Sequence, residues 1–253
     1  MRITAIAAVM LALTPFVGAE ENPHTRGSFD SGGVTISYVE AGGGDPVVLV
    51  HGLYSSAELN WIKPGTFDLL AKNHHVIAID LRGHGMSDKP TSEDAYGKPM
   101  AEDVVRLMEH LKIQKAQIVG YSLGGIVVMR LLADHPDRFT AAALGGMGWL
   151  RQGSVLQGSF EKMGGRNTGH TPAAAVHGIS KLALSEKELQ SIKTPLEILV
   201  GDHDPCKRMY VDPLVMVRKD VSVIEIQDAG HITCIVKEQF KNELAKWVDQ
   251  NAK

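Results

Sequence analysis

Cysteine is scarce: the 253 residues contain two, Cys206 and Cys234, both in the last quarter. That argues against a disulfide-built scaffold and leaves the hydrophobic core to hold the fold. Aromatic residues make up only 6%, and the formal charge is −3, near balance. No Lys/Arg-rich run occurs, which argues against nucleic acid or an anionic membrane as a partner. Internal repeats, low-complexity tracts and long linkers are also missing. The eleven histidines have no metal-ligand spacing. The hydrophobic content is 44%, enough for one large domain or two small ones.

A single stretch departs from this ordinary composition. Arg2 gives a short positive start, residues 3–13 are almost wholly apolar, and Pro15 breaks the run. Val17-Gly18-Ala19 then supplies small residues at a peptidase position. This is the layout of a secretory signal peptide over residues 1–19, with cleavage after Ala19 and export to a periplasmic or extracellular space. The apolar run is too short to span a bilayer, so stable membrane insertion is not expected. With no cysteine following it, lipid attachment has no support. Residues 20–253 are then expected to form a single domain.

Within that domain, apolar β-rich runs alternate with helical patterns, as in a parallel sheet covered on both faces. Residues 34–39 alternate and suit an edge strand. Val47-Val48-Leu49-Val50 and residues 75–80 are continuous, as doubly buried strands should be. Val104, Leu107, Met108 and Leu111 share one face of a helix over residues 100–111. Strands are also expected at residues 116–119, 141–144, 196–200 and 221–226, and a last helix from about 235 to 248. Residues 145–180 break the rhythm; they are read as a small lid over one end of the sheet.

The chemistry centres on Gly120-Tyr121-Ser122-Leu123-Gly124, which reads G-x-S-x-G between a strand run and a helix run. A serine on such a turn is lifted clear of the sheet, where a base and a carbonyl can both reach it. Its base must be a histidine on a neighbouring loop. His231, in Asp228-Ala229-Gly230-His231 after a strand, has the best context. Gly201-Asp202-His203-Asp204 follows another strand and offers two carboxylates as the orienting acid. An oxyanion site needs two converging N–H groups. Leu123 would give one. Leu53, in His51-Gly52-Leu53-Tyr54, would give the other, with His51 bracing the loop. Met147, Trp149 and Leu150, just past a strand, are candidates to line a substrate pocket. Asp80-Leu81-Arg82-Gly83-His84-Gly85-Met86-Ser87-Asp88 lacks both G-x-G-x-x-G and G-K-[ST], so it reads as a braced turn rather than a phosphate loop.

These blocks, in this order, resemble the α/β-hydrolase superfamily over residues 32–247. The resemblance implies an α/β-hydrolase fold: a mostly parallel twisted sheet, helices on both faces, and a short lid insertion. It favours Asp204 over Asp202 as the acid, giving the chain order Ser122, Asp204, His231. Ser122 separates the chain from branches with an elbow aspartate, and the H-G-G-G run of many lipases is missing. The implied activity is that of a serine hydrolase of the esterase or perhydrolase-like branch, acting on a small-molecule ester without metal or organic cofactor. Acyl transfer, perhydrolysis and C–C bond hydrolysis use the same triad. A non-catalytic ligand-binding protein on this scaffold is the alternative from another class. If Asp204 meets His231, the loops bearing Cys206 and Cys234 lie side by side, and a Cys206–Cys234 disulfide is expected.

Overall fold

Runs of Val, Ile and Leu become strands whose alternate side chains enter two separate cores. The computed structural model describes residues 24–163 and 171–252; the expected signal peptide lies outside them. Eight strands are described: β1 (Thr25–Asp30), β2 (Thr35–Ala41), β3 (Pro46–Val50), β4 (His75–Ile79), β5 (Ala116–Tyr121), β6 (Phe139–Gly145), β7 (Leu196–Gly201) and β8 (Ser222–Ile226). They form one sheet in the order β1-β2-β4-β3-β5-β6-β7-β8. From β4 through β8 all pairings are parallel, while β2 pairs antiparallel with both β1 and β4.

Eight α-helices occur among the described residues: α1 (Thr66–Ala71), α2 (Lys98–His110), α3 (Leu123–Asp134), α4 (Val155–Lys162), α5 (Ala173–Ile179), α6 (Glu186–Ser191), α7 (Asp212–Val217) and α8 (Glu238–Gln250). Val48, Val50, Ile77, Ile79 and Ile118 face a core shared with α2 and α3. Val47, Leu49, Val76, Ala78 and Val119 face the other, filled by Phe67 and Leu70 of α1 and Phe240, Leu244 and Val248 of α8. The period of two in the strands thus divides one sheet between two helical layers.

Two sequence readings need correction. The strand expected at the edge, residues 34–39, is the second strand. The edge is β1, whose TRGSFD sequence buries only Phe29 and so carries no alternation to read. It is held by a hairpin turn in which Gly32 and Gly33 take positive φ and the Gly33 N–H donates to the Asp30 carboxylate at 2.8 Å. The last helix begins at Glu238 rather than near 235, because Lys237 is extended (φ −70°, ψ 137°) after a 3-10 turn at Cys234–Val236.

The stretch read as a lid divides. α4 buries none of its residues. α5 buries Ala174, Ala175, Val176, Gly178 and Ile179 and packs beside Tyr96.

Candidate active site

β5 ends at Tyr121, α3 begins at Leu123, and Ser122 sits between them at φ 53°, ψ −116°. A non-glycine residue there is strained by about 1–3 kcal/mol. The turn closes because Gly120 and Gly124 lack side chains: a Cβ on Gly120 would collide with the Gly124 carbonyl, and one on Gly124 with that of Val50. The Ser122 N–H donates to Gly145 O at 2.9 Å, tying the turn to the end of β6.

His231 lies on the loop after β8. Its Nε2 is 2.9 Å from Ser122 Oγ, and its Nδ1 is 2.8 Å from Asp204 Oδ2. Asp204 follows β7 with its carboxylate fully buried, and its Oδ1 accepts the Cys206 N–H at 2.8 Å. The three residues singled out in the sequence are therefore brought into one hydrogen-bonded chain. Asp202 does something else. Its carboxylate accepts the N–H groups of Ala229 (3.0 Å) and Asp228 (3.1 Å), joining the β7 loop to the loop that carries His231. The Ala229 N–H is the main reason its carboxyl titrates below the usual range.

The expected disulfide is absent: Cys206 and Cys234 are free, buried thiols. They pack in different cores, Cys206 with Tyr210 and Leu214, Cys234 with Ile235 and Phe240. The Cys206 thiol meets the Asp204 carboxylate, and that of Cys234 meets the Tyr121 hydroxyl. Burial, reinforced by the Asp204 charge, pushes both thiols up to about 12. No local pattern marks what ties the base loop instead: the Tyr121 hydroxyl donates to the His231 carbonyl at 2.5 Å. Gly146 is a second residue the sequence did not single out. A Cβ there would stand 3.1 Å from Asp204 Oδ2 and 3.2 Å from His231 Nδ1. The one signal was the Gly145-Gly146 pair at a strand end.

Asp204, Cys206 and His231 bring a carboxylate, a thiol and an imidazole within 4.8 Å of one another. In this structure the carboxylate and the imidazole of that group hydrogen-bond each other.

The loop after β3 is held at several points. His51 Nε2 accepts the Leu81 N–H at 3.0 Å, so its proton sits on Nδ1, which donates to Gly52 O at 2.7 Å. His51 braces the loop, as its sequence context suggested. Burial lowers its pKa to about 4 and that of the adjacent His84 to about 3, so both rings are neutral. Among the described residues no acceptor meets the N–H of Leu53, and Leu123, as the first residue of α3, has no intrahelical acceptor.

Of the apolar trio, Met147 and Leu150 are buried in the core, Met147 against Gly125. Trp149 donates its indole N–H to Leu184 O at 2.8 Å. It also borders a cleft of about 270 Å³ with Arg151, Leu156, Met209 and Pro213. The 80–88 segment is a braced turn. Asp80 accepts the N–H groups of Ala57 and Met86, and Arg82 forms a buried two-point pair with Asp103 (2.7 and 2.6 Å).

With this geometry in hand, the comparisons with known proteins agree on the fold. The family model described as alpha/beta hydrolase fold matches residues 45–162. The dihydrolipoyllysine-residue acetyltransferase component of the acetoin cleaving system of Cupriavidus necator is 35% identical over 197 residues, 78% of this chain and 46% of that protein. An esterase of Escherichia coli is 37% identical over 93 residues, 37% of this chain and 35% of its own length. The chain thus spans less than half the length of these curated relatives. The crystal structure of an epoxide hydrolase from Vigna radiata superposes with a TM-score of 0.72 at 16% identity, covering 92% of this chain and 99% of that one; this is a likeness of fold alone. The chain belongs to the α/β-hydrolase superfamily.

Proposed function

We propose that this chain is an exported serine hydrolase that cleaves carboxylic esters of modest size through an acyl-enzyme. The observation that carries the reading is the unbroken chain from Ser122 Oγ to His231 Nε2 (2.9 Å) and from His231 Nδ1 to Asp204 (2.8 Å). His231 takes the Ser122 proton as Oγ attacks the ester carbonyl. The N–H groups of Leu53 and Leu123 hold the oxyanion, the step in which such donors contribute most. His231 then protonates the leaving alcohol, and a water deprotonated by His231 releases the acid. Asp204 fixes the His231 tautomer and stabilises the imidazolium. None of these steps calls for a metal or organic cofactor. The cleft beside Trp149 is a candidate for the acyl or alcohol portion.

A fluorophosphonate probe tests the reading, since only an activated serine reacts. Labelling at Ser122, lost in Ser122→Ala together with ester hydrolysis, is the expected result. Loss of a triad nucleophile costs on the order of a millionfold in turnover. A Ser122→Ala enzyme retaining a few per cent of wild-type activity would refute it. Export is tested by the mass of the mature chain from its native host, expected to begin at Glu20.

Acyl transfer is the second reading, favoured by the acetyltransferase name of the relative that matches 78% of this chain. Product analysis with a competing alcohol separates the two, because hydrolysis and transfer share the acyl-enzyme and differ only in what resolves it.

A further inference from the structure

We infer that Asn60 is a positioning residue of the oxyanion loop, holding the Gly52 N–H aside so that the Leu53 N–H is the donor presented to the reacting carbonyl. This rests on the reading of Ser122 as nucleophile.

Gly52 lies directly over the elbow. A Cβ built on it would stand 3.2 Å from Ser122 Cβ and 3.5 Å from Asn60 Oδ1. Two peptide planes meet at this glycine, and each is pinned. The Gly52 N–H donates to Asn60 Oδ1 at 2.7 Å. The Gly52 carbonyl accepts from His51 Nδ1 at 2.7 Å and from the Ser55 N–H at 3.3 Å. A trans peptide sets its N–H opposite its carbonyl. With the Gly52 carbonyl turned to His51 and Ser55, the N–H of Leu53 is turned away from them, where no acceptor among the described residues meets it. Without Asn60 the preceding peptide has no side chain holding it, and glycine gives it freedom to rotate.

Asn60 is itself held firmly. It sits in a π-helical turn, Glu58–Ile62, anchored by Trp61, which is fully buried. The Asn60 N–H donates to Ser56 O at 3.0 Å, and the Lys63 N–H to Glu58 O at 2.9 Å. π-Helical geometry is rare and is frequent at functional sites. Here it aims the amide oxygen eight residues back along the chain, onto the loop over Ser122.

The test compares Asn60→Ala and Asn60→Asp with wild type, using a soluble p-nitrophenyl ester and a trifluoromethyl ketone, whose adduct with an active serine carries an oxyanion. Ala lacks the acceptor; Asp keeps it at the same reach. Asn60→Ala is expected to lose about ten- to a hundredfold in kcat, less than the 10²–10³ of a deleted oxyanion donor. KM should stay within about twofold, and ketone affinity should fall in step with kcat/KM. Asn60→Asp is expected to recover most of the loss. A merely structural role would lower Tm and leave kcat and ketone affinity of the folded enzyme unchanged; that result overturns the inference. So does an Asn60→Asp enzyme as slow as Asn60→Ala. Should Asn60→Ala fail to fold, Asn60→Ser, too short to reach Gly52, replaces it with the same expectations. Failure of the nucleophile reading is seen separately, as a wild-type enzyme that does not react at Ser122.

Discussion

At the scale of single residues, the two carboxylates after β7 have divided their work. Asp204 is buried against His231, while Asp202 takes two backbone N–H groups of the neighbouring loop. Asp204→Asn should therefore cost about 10⁴-fold in turnover, because an amide supports the wrong His tautomer. Asp202→Asn should cost a small fraction of that, since an amide oxygen still accepts one N–H. Paired steady-state kinetics check the ranking; the reverse order would move the acid role to Asp202. His51 and His84 bear instead on stability. Burial lowers them from 6.5 to about 4 and about 3. Both bind protons less readily folded than unfolded. Their contribution is thus complete above pH 6.5 and is lost as the pH falls toward 4 for His51 and 3 for His84. At about 1.4 kcal/mol per pH unit, the loss at pH 4 is on the order of 3 kcal/mol for each ring. Melting curves between pH 7 and pH 4 should show Tm falling below pH 6.5. The fall should be shallower in His84→Asn, which has no ring to protonate.

At the scale of elements, α4 and α5 differ although both fall in one irregular stretch of sequence. α4 is capped by Ser154, whose Oγ accepts the Gln157 N–H at 3.1 Å, but it buries no residue. Its Val155 and Leu156 border the cleft beside Trp149. Replacing residues 155–162 by a Gly/Ser linker should shift Tm by only a few degrees and change the ratio of kcat/KM between short and long acyl esters. Disrupting α5 should behave oppositely, because Ala175 and Ile179 are in the main core. Thermal melts and an ester panel on both variants decide it. A linker variant that fails to fold would make α4 part of the core. Elsewhere, α6 carries a full capping box between Ser185 and Glu188, and Glu188 also pairs with Arg130 at 2.9 Å. This short helix is tied to α3 by charge as well as by packing.

At the scale of the whole molecule, one sheet divides two cores, and the two free thiols belong one to each. Alkylation of the denatured, unreduced protein should modify both Cys206 and Cys234, and a mild reductant should leave Tm and turnover unchanged. Recovery of unmodified cysteines joined in one disulfide would contradict the structure. The work expected of a covalent staple is done by hydrogen bonds at the C-terminal ends of the strands. Tyr121 holds the His231 carbonyl, and Asp202 holds the N–H groups of Asp228 and Ala229. Tyr121→Phe removes the first of these and should loosen the base loop. The expected effect is a lower kcat with KM little changed, measurable with the same ester.

Local patterns determined what they can encode by themselves. Continuous apolar runs such as Val47-Val48-Leu49-Val50 became doubly buried strands, because a strand buried on both faces has no polar side to show. The G-x-S-x-G turn formed where it was read, because steric exclusion at Gly120 and Gly124 acts within a few residues. What depends on which elements lie side by side was decided only by the tertiary structure. β1 carries no alternation and is a strand only because β2 supplies its hydrogen-bond partners. Asp202 and Asp204 are two residues apart and look alike in sequence, yet one faces backbone amides and the other His231. Cys206 and Cys234 lie on neighbouring loops, but proximity along two loops does not set which core a side chain enters. Tyr121 and His231 are 110 residues apart in sequence and meet only because the sheet brings the end of β5 and the loop after β8 to one end of the strands. Periodicity specifies which face of an element is apolar; the pairing of strands specifies which side chains then meet.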